Sequence, residues 1–157
     1  MPGGNELEKR ATKANFSYRK DKKALILKVA TPIILTKKGL VASSSTVDFT
    51  GLIKGGRFLA YDAKETQNKT SFPLKNIHQH QLHYLELVEE LGGIAFFLIH
   101  FKKVHENKAF ITPISLVHKY MFEETRKSIP LSIFKKEWLV DIDNYMEKIL
   151  DDITDTD

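Results

Sequence analysis

Cysteine is absent from the 157-residue chain. This absence excludes disulfide frameworks, thiol nucleophiles and cysteine-ligated zinc together. A protein without any of these features suits a reducing compartment, so we expect a cytoplasmic location.

Long apolar runs are also absent. The longest, Ile94 to Ile99, is far short of the roughly 20 residues that a membrane-spanning helix needs. The N-terminus has no apolar stretch of the signal-peptide kind, so we expect neither export nor contact with a membrane. With 42% hydrophobic and 28% charged residues, the composition predicts one folded domain over residues 1–157.

Charge is unevenly distributed along the chain. Residues 141–157 hold seven acids and one base, which makes an acidic C-terminal helix and tail. The other 140 residues hold 23 bases and 13 acids, a balance of +10. A region with this net positive charge favours a polyanionic partner, and nucleic acid is the leading class of partner. Basic surfaces can also serve solubility alone, so charge does not decide whether the protein binds nucleic acid.

Apolar periodicity predicts a mixed order of helices and strands. Leu7, Ala11, Ala14 and Tyr18 follow a helical period that starts at a predicted Asn5 cap. The glycine pair after Lys54 is typical of a hairpin turn. The predicted elements are a helix over 5–20, one or two strands over 24–35, an exposed loop over 36–45, hairpin strands over 46–53 and 57–64, a helix between Pro73 and Glu90, strands over 94–101 and 108–114, a short helix from a Ser115 cap to Glu124, and a final helix over 141–153. This order indicates an α/β or α+β fold around one sheet.

The hairpin carries the most informative polar residues. Asp62 and Lys64 are two apart on a strand, which puts both side chains on one face. Asp48 stands in the preceding strand segment, where an acid has low propensity, and the turn brings it beside Asp62. Two acids and a lysine can bind a hard divalent cation and act on a phosphodiester. A solvent-facing cross-strand ion pair is the alternative interpretation.

A longer string of motifs separates these alternatives. Asp48, a turn and Asp62-Ala63-Lys64 resemble the Asp…(Asp/Glu)-x-Lys signature of the PD-(D/E)xK nuclease superfamily. Within it, the chain is similar to the RecU family of bacterial Holliday-junction resolvases over about residues 5–130. The segments that carry this resemblance are Thr31-Pro32, Ser45-Thr46-Val47-Asp48-Phe49, Asp62-Ala63-Lys64-Glu65-Thr66, Asn68 to Leu74, His78-Gln79-His80-Gln81, Gly92-Gly93-Ile94 and Arg126-Lys127-Ser128-Ile129.

The resemblance implies a restriction-endonuclease-like α/β core, with a central mixed β-sheet flanked by helices. It also implies a homodimeric, Mg²⁺-dependent endonuclease, with Mn²⁺ as a substitute, that nicks opposed strands of four-way DNA junctions symmetrically. Such an enzyme acts in recombination and repair at the nucleoid, where recombinase or branch-migration proteins are expected partners.

Catalytic roles follow from the same resemblance. Asp48 and Asp62 are expected to ligate the metal, together with the carbonyl of Ala63. Lys64 is expected to orient or deprotonate the attacking water and to stabilise the charged transition state. Glu8 matches an acid on the first helix of the family, with Glu6 as its competitor.

Further residues are expected to contact DNA or to support the metal ligands. Gln81 aligns with a family glutamine whose amide can bridge a ligand carboxylate and the scissile phosphate. Three histidines, at 78, 80 and 83, have a spacing that does not suit zinc. The expected DNA contacts are Asn15, Tyr18, Thr66, Lys69, Thr70, Ser71, Lys75, Arg126 and Lys127.

Two departures from the family pattern bear on selectivity. RecU proteins carry a long projecting stalk before the first catalytic acid, whereas only 15 residues separate Pro32 from Asp48 here. The second acid is Asp62, where relatives more often have Glu. A shortened stalk keeps open a less selective nuclease acting on flaps or duplex DNA, and a non-catalytic DNA-binding recombination factor is a third alternative.

Overall fold

The computed structural model describes residues 6–30, 33–42 and 46–155. The predicted cap Asn5 and the Thr31-Pro32 pair lie outside these residues, as does Ser45. Four helices are described: α1 (Glu6–Lys20), α2 (Gln79–Glu90), α3 (Ile114–Phe122) and α4 (Glu147–Asp155). No helix among the described residues combines the length and apolar character needed to cross a bilayer.

Ten strands accompany these helices. They are β1 (Ala24–Lys28), β2 (Ile33–Thr36), β3 (Gly39–Ala42), β4 (Phe49–Ile53), β5 (Arg57–Thr66), β6 (Ser71–Pro73), β7 (Ile94–Phe101), β8 (Lys108–Pro113), β9 (Ser128–Pro130) and β10 (Leu139–Asp141). Six of them form the central sheet in the order β1-β4-β5-β7-β8-β10. Only the β5–β7 pair in this sheet is parallel. The predicted mixed sheet flanked by helices is thereby confirmed.

Helices cover both faces of the sheet because β5 and β7 alternate apolar side chains toward each side. Leu59 and Tyr61 of β5 pack with α1 and with the segment around Tyr145. Ala60 faces the opposite cluster, which contains Leu82 and Leu85 of α2. The two central strands are therefore buried from both sides and form a rigid base for the polar residues of β5.

The predicted hairpin is confirmed as β4–β5. Gly55 and Gly56 both have positive φ, at 103° and 93°, which L-residues with a side chain adopt only with strain. The register pairs Phe49 with Tyr61 and Ile53 with Arg57. Asp48 lies one residue before β4 and so reaches the end of the hairpin beside Asp62.

Residues 36–45 do not form the predicted loop throughout. β2 and β3 make a separate two-stranded hairpin, so the projection exists but is ordered as strands. Its apolar side chains are exposed: Ile33, Ile34, Leu35, Leu40 and Val41. β3 was not predicted, because the charged residues, glycine and serines of this segment follow no clear period.

Three other boundaries were wrong. The helix expected after Pro73 begins at Gln79, because a 3₁₀ turn, Leu74–Asn76, comes first. Ser115 does not cap α3, whose N-cap is Pro113 without a side-chain hydrogen bond. The segment from 141 starts with the 3₁₀ turn Ile142–Asn144, and α4 begins only at Glu147. β6, β9 and β10 were not predicted, since three-residue strands carry almost no periodic signal.

Candidate active site

Asp62 is the most buried ionisable group of the cleft. It lies on β5 and its residue is 1% exposed. Its Oδ1 accepts hydrogen bonds from the backbone N–H of Asp48 at 2.9 Å and from Nε2 of Gln81 at 3.3 Å. Its Oδ2 lies 3.0 Å from Nζ of Lys64. This ion pair confirms that Asp62 and Lys64 share one face of the strand.

Asp48 is held beside Asp62 by the backbone. Its Oδ2 accepts a hydrogen bond from the N–H of Ala63 at 2.9 Å. Its Oδ1 lies 3.9 Å from Nζ of Lys28. The turn of the hairpin has therefore brought both predicted carboxylates into contact, although they are 14 positions apart in the chain.

Glu8 of α1 completes the acidic group. Its Oε1 accepts a hydrogen bond from Nζ of Lys28 at 2.8 Å, and its side chain is 12% exposed. Leu7, Ala11 and Ala14 bury the neighbouring stripe of α1, which turns Glu8 toward the end of β1 and leaves Glu6 exposed. Glu8, not Glu6, lines the cleft.

Lys28 contacts two of the acidic residues, Glu8 and Asp48, and sequence reasoning missed it. It ends β1 and stands between Glu8 and Asp48, and its ammonium lies 5.7 Å from the ring centroid of Phe49. The local signal was weak, because a lysine at the end of an apolar strand usually points to solvent. Only the packing of α1 against β1 gives it acidic neighbours.

Gln81 lies in the first turn of α2. Besides its bond to Asp62, its Oε1 accepts a hydrogen bond from the backbone N–H of His78 at 3.3 Å, as part of a capping box. Because both ends of the amide are engaged, its Nε2 is held toward the Asp62 carboxylate. The amide is thereby aimed into the cleft rather than at solvent.

The carboxylates perturb one another strongly. Burial, the charge of Asp62 and the hydrogen bond with Glu8 raise the pKa of Asp48 to about 8. Burial lowers the pKa of Lys28, but the hydrogen bond and charge of Glu8, with the charges of Asp48 and Asp62, outweigh it and raise that pKa overall. An additional positive charge in the cleft would oppose the effects of burial and of the neighbouring acids, and would lower the pKa of Asp48.

These oxygens fit a hard divalent cation in their chemistry. Asp62 Oδ2 is buried and, within the described part of the chain, accepts no hydrogen bond of good geometry. No group of three or more histidine, aspartate or glutamate side chains among the described residues is already arranged around a common metal position. The two lysines instead lie against the carboxylates, so a cation would displace ammonium groups from oxygens that are already in place.

The structure corrects three of the predicted DNA contacts. Asn15 and Tyr18 are buried on the core side of α1, and Thr66 is buried at the end of β5. The Tyr18 hydroxyl donates to Oδ1 of Asn144 at 2.8 Å, and Asn15 accepts a short hydrogen bond from the hydroxyl of Tyr145. These side chains hold α1 against the C-terminal segment and are not available to a DNA backbone.

The remaining predicted contacts are at or near the surface. Lys69, Thr70 and Lys75 are exposed and Ser71 is half-buried. Arg126 and Lys127 are also exposed, and they lie close to this loop because β6 pairs with β9. The backbone N–H of Leu74 donates to the carbonyl of Lys127 at 3.0 Å. The structure thus forms one basic surface from two distant parts of the sequence.

The three acidic residues, Lys64 and Gln81 meet at one open cleft of about 490 Å³. The described residues that line it are Glu8, Asp48, Asp62, Ala63, Lys64, Glu65, Lys75, Asn76, His78 and Gln81. His78 and His80 stack with ring centroids 5.6 Å apart, whereas the ring of His83 stacks on Phe122.

Comparison with known proteins places these features in a family context. A family model described as recombination protein U, RecU, matches residues 3–153. The Holliday junction resolvase RecU of Pediococcus pentosaceus is 34% identical over 149 residues, which cover 85% of this chain and 73% of that protein. The protein of the same name from Staphylococcus carnosus is 36% identical over 146 residues, covering 85% and 70%.

A solved structure is also similar, at a greater distance. The Holliday junction resolvase Hjc of Archaeoglobus fulgidus matches 90% of this chain and 98% of its own, with a TM-score of 0.49 and 14% identity. A likeness at that level says nothing about the substrate.

Proposed function

The chain belongs to the RecU family, and on that basis we propose that it is a metal-dependent endonuclease that resolves four-way DNA junctions. It would make paired, symmetric nicks that leave ligatable ends in recombination and repair, on DNA at the nucleoid. The observation that supports this most is the cleft itself. There Asp62 accepts a hydrogen bond from the backbone of Asp48 and forms an ion pair with Lys64. Asp48 in turn accepts a hydrogen bond from the backbone of Ala63.

Mg²⁺, with Mn²⁺ as a substitute, is the proposed cofactor. The carboxylates of Asp48 and Asp62 and the carbonyl of Ala63 would hold it. When bound, such an ion polarises the scissile phosphate and lowers the pKa of a coordinated water. Glu8 would complete the acidic side of the cleft, with Lys28 compensating its charge.

The protein's own side chains account for the remaining steps. Lys64 holds its ammonium over Asp62 at the open side of the cleft, where it can orient the attacking water and stabilise charge that develops on the phosphate. The water oxygen bonds to phosphorus as the bond to the leaving oxygen of the sugar breaks. Gln81 fixes Asp62 from the other side and keeps its amide toward the phosphate.

DNA binding is proposed for the basic surface beside the cleft. Lys69, Thr70 and Lys75 lie on the path from β5 to α2, and Arg126 with Lys127 extends it through the β6–β9 pair. Lysine and arginine contacts to phosphates give affinity without sequence information. This surface would hold the arms of the junction against the cleft.

A homodimer follows from the chemistry of paired nicks. The described residues of one chain bring together one such cleft, and two opposed strands need two of them. We therefore propose that two copies act on one junction. Recombinases and branch-migration proteins are the proposed further partners.

The short β2–β3 hairpin favours a second candidate, a nuclease with less selectivity for junctions. Purified protein with Mg²⁺ is incubated separately with a four-way junction, a flap and a linear duplex, and the nicks are mapped. We expect only the junction to be cut, at symmetric positions, with products that DNA ligase seals, and no cleavage in EDTA. Equal cleavage of all three substrates would support the second candidate, and binding without cleavage would indicate a non-catalytic recombination factor.

A further inference from the structure

A second groove lies beside the candidate active site. It has a volume of about 470 Å³, and Lys75 lines both this groove and the cleft. The two sites are therefore adjacent, and a DNA strand that leaves the cleft past Lys75 can enter this groove.

One wall of the groove is basic. Lys75, Arg126 and Lys127 line it, and the hydrogen bond from Leu74 to Lys127 fixes the two segments relative to each other. Of the described residues that line the groove, Glu124 alone is acidic, and its carboxylate lies 4.0 Å from Nζ of Lys119. The wall therefore keeps a net positive charge suited to a phosphate.

The other wall is aromatic. Tyr120 and Phe122 stand at the end of α3 and line the groove. The ring of Phe122 is 43% exposed although it is held on two sides. His83 stacks on it with an interplanar angle of 10°, and His118 contacts it at a centroid distance of 4.9 Å. An exposed ring whose orientation is already fixed loses little freedom when a second ring stacks on it.

Size and chemistry together indicate the ligand. A volume of about 470 Å³ suits a small-molecule ligand, for which pockets of about 300–1,000 Å³ are usual, and is too small for a duplex. Single-stranded nucleic acid binds to surfaces on which basic side chains face an exposed aromatic ring. The phosphate then contacts the basic side chains and the nucleobase stacks on the ring. The exposed amide of Gln79 also lines the groove and can bond to the edge of a base.

We propose that this groove binds one unpaired nucleotide of the DNA strand that occupies the candidate active site. Arg126 and Lys127 bind its phosphate, Phe122 stacks on its base, and Gln79 contacts the base edge. The inference rests on the proposed function, because it takes branched DNA as the substrate. A base read in this groove gives the enzyme a cleavage preference that does not depend on the stalk.

The test uses the full-length Asp62→Asn protein and four-way junctions that carry 2-aminopurine at successive positions on each side of the branch point. Fluorescence of this base rises when it leaves the DNA stack, and the measurement needs no cleavage. We expect a rise at one position on protein binding. Phe122→Ala and Arg126→Ala, each added to Asp62→Asn, should remove that rise, and Phe122→Ala should weaken binding about tenfold.

Matched controls are Phe16→Ala, which removes an exposed phenylalanine of α1, and Lys136→Ala, which removes an exposed base away from the groove. Both should keep the rise, and circular dichroism checks that all variants are folded. A rise at no position, or one that survives Phe122→Ala and Arg126→Ala, overturns the inference even if the wild type resolves junctions. If the wild type cleaves no branched DNA, the proposed function fails, while the fluorescence result still decides whether the groove binds a base.

Discussion

Asp48 and Asp62 hold each other in place through crossed backbone hydrogen bonds. The N–H of Asp48 donates to Asp62 Oδ1, and the N–H of Ala63 donates to Asp48 Oδ2, both at 2.9 Å. The second oxygen of each carboxylate lies near a lysine: Asp62 Oδ2 is 3.0 Å from Nζ of Lys64, and Asp48 Oδ1 is 3.9 Å from Nζ of Lys28. The two acids are preorganised by the main chain, and their charge is balanced by side chains that can move.

Asp62→Asn should abolish cleavage and preserve junction binding. The substitution keeps the shape of the side chain but removes a charge proposed to hold the cation, while the basic surface at Lys69, Lys75 and Arg126 is unchanged. We expect cleavage to fall by about 100-fold or more, measured on a labelled junction, with an unchanged gel-shift affinity. Asp21→Asn, at an exposed position after α1, is the control. Parallel loss of binding and cleavage would contradict the assignment.

Lys64→Ala separates a catalytic lysine from a purely structural ion pair. If Lys64 serves the attacking water, Mg²⁺ binding should stay nearly intact and single-turnover cleavage should fall by about 100-fold or more. If Lys64 only neutralises the buried carboxylate of Asp62, its loss should destabilise the protein by about 3–5 kcal/mol and leave the cleavage rate of the folded protein unchanged. Lys102→Ala, which removes the ion pair with Glu65 at 3.6 Å, is the matched control. A Lys64→Ala enzyme that cuts at the wild-type rate would refute the proposed role.

Metal affinity should rise with pH up to about 8. The pKa of Asp48 is raised to about 8, so in the metal-free protein its carboxyl carries a proton below that pH. A cation bound by Asp48 must expel this proton, and affinity should weaken by about tenfold for each pH unit below 8 and level off above it. Calorimetry with Mn²⁺ at pH 6.5, 7.5 and 8.5 measures the affinity. Repeating each titration in two buffers of different ionisation enthalpy gives the number of protons that binding releases. An affinity that does not change over this range would show that Asp48 does not ligate the ion.

Tyr18→Phe tests the structural role assigned to a residue that was predicted to contact DNA. Its hydroxyl donates to Asn144 and accepts from the N–H of Met146 at 3.1 Å. Leaving these buried groups without a partner should destabilise the protein by about 1–3 kcal/mol, measured by chemical denaturation, with junction affinity unchanged. Tyr84→Phe on α2, half-buried, is the control and should change stability less. Weaker DNA binding at unchanged stability would restore the original prediction.

Local patterns predicted the parts of the site that lie on one element. The two-residue spacing of Asp62 and Lys64 implies a shared face wherever the segment is a strand, and the glycine pair places the turn that brings Asp48 near. Neither prediction depends on what packs against the hairpin. Both hold in the structure for this reason.

Contacts between elements that are far apart in the sequence were not predicted. Lys28 contacts Glu8 only because α1 packs beside β1. Asn15 and Tyr18 match the family at the level of sequence, yet Tyr18 continues the period of Leu7, Ala11 and Ala14, which is the buried stripe of the helix. In this case helix periodicity was a better guide to burial than residue polarity.

The C-terminal anchor of α1 has a consequence for synthesis. The helix that carries Glu8 is synthesised before the ten strands, and its hydrogen-bond partners Asn144 and Tyr145 follow more than a hundred residues later. Folding during translation proceeds from the N-terminus, so α1 has only part of its docking surface until the segment around residue 145 emerges. A chain synthesised only as far as residue 140 thus has Asp48, Asp62 and Lys64 but lacks the hydrogen bonds that fix α1, and with it Glu8, against the C-terminal segment.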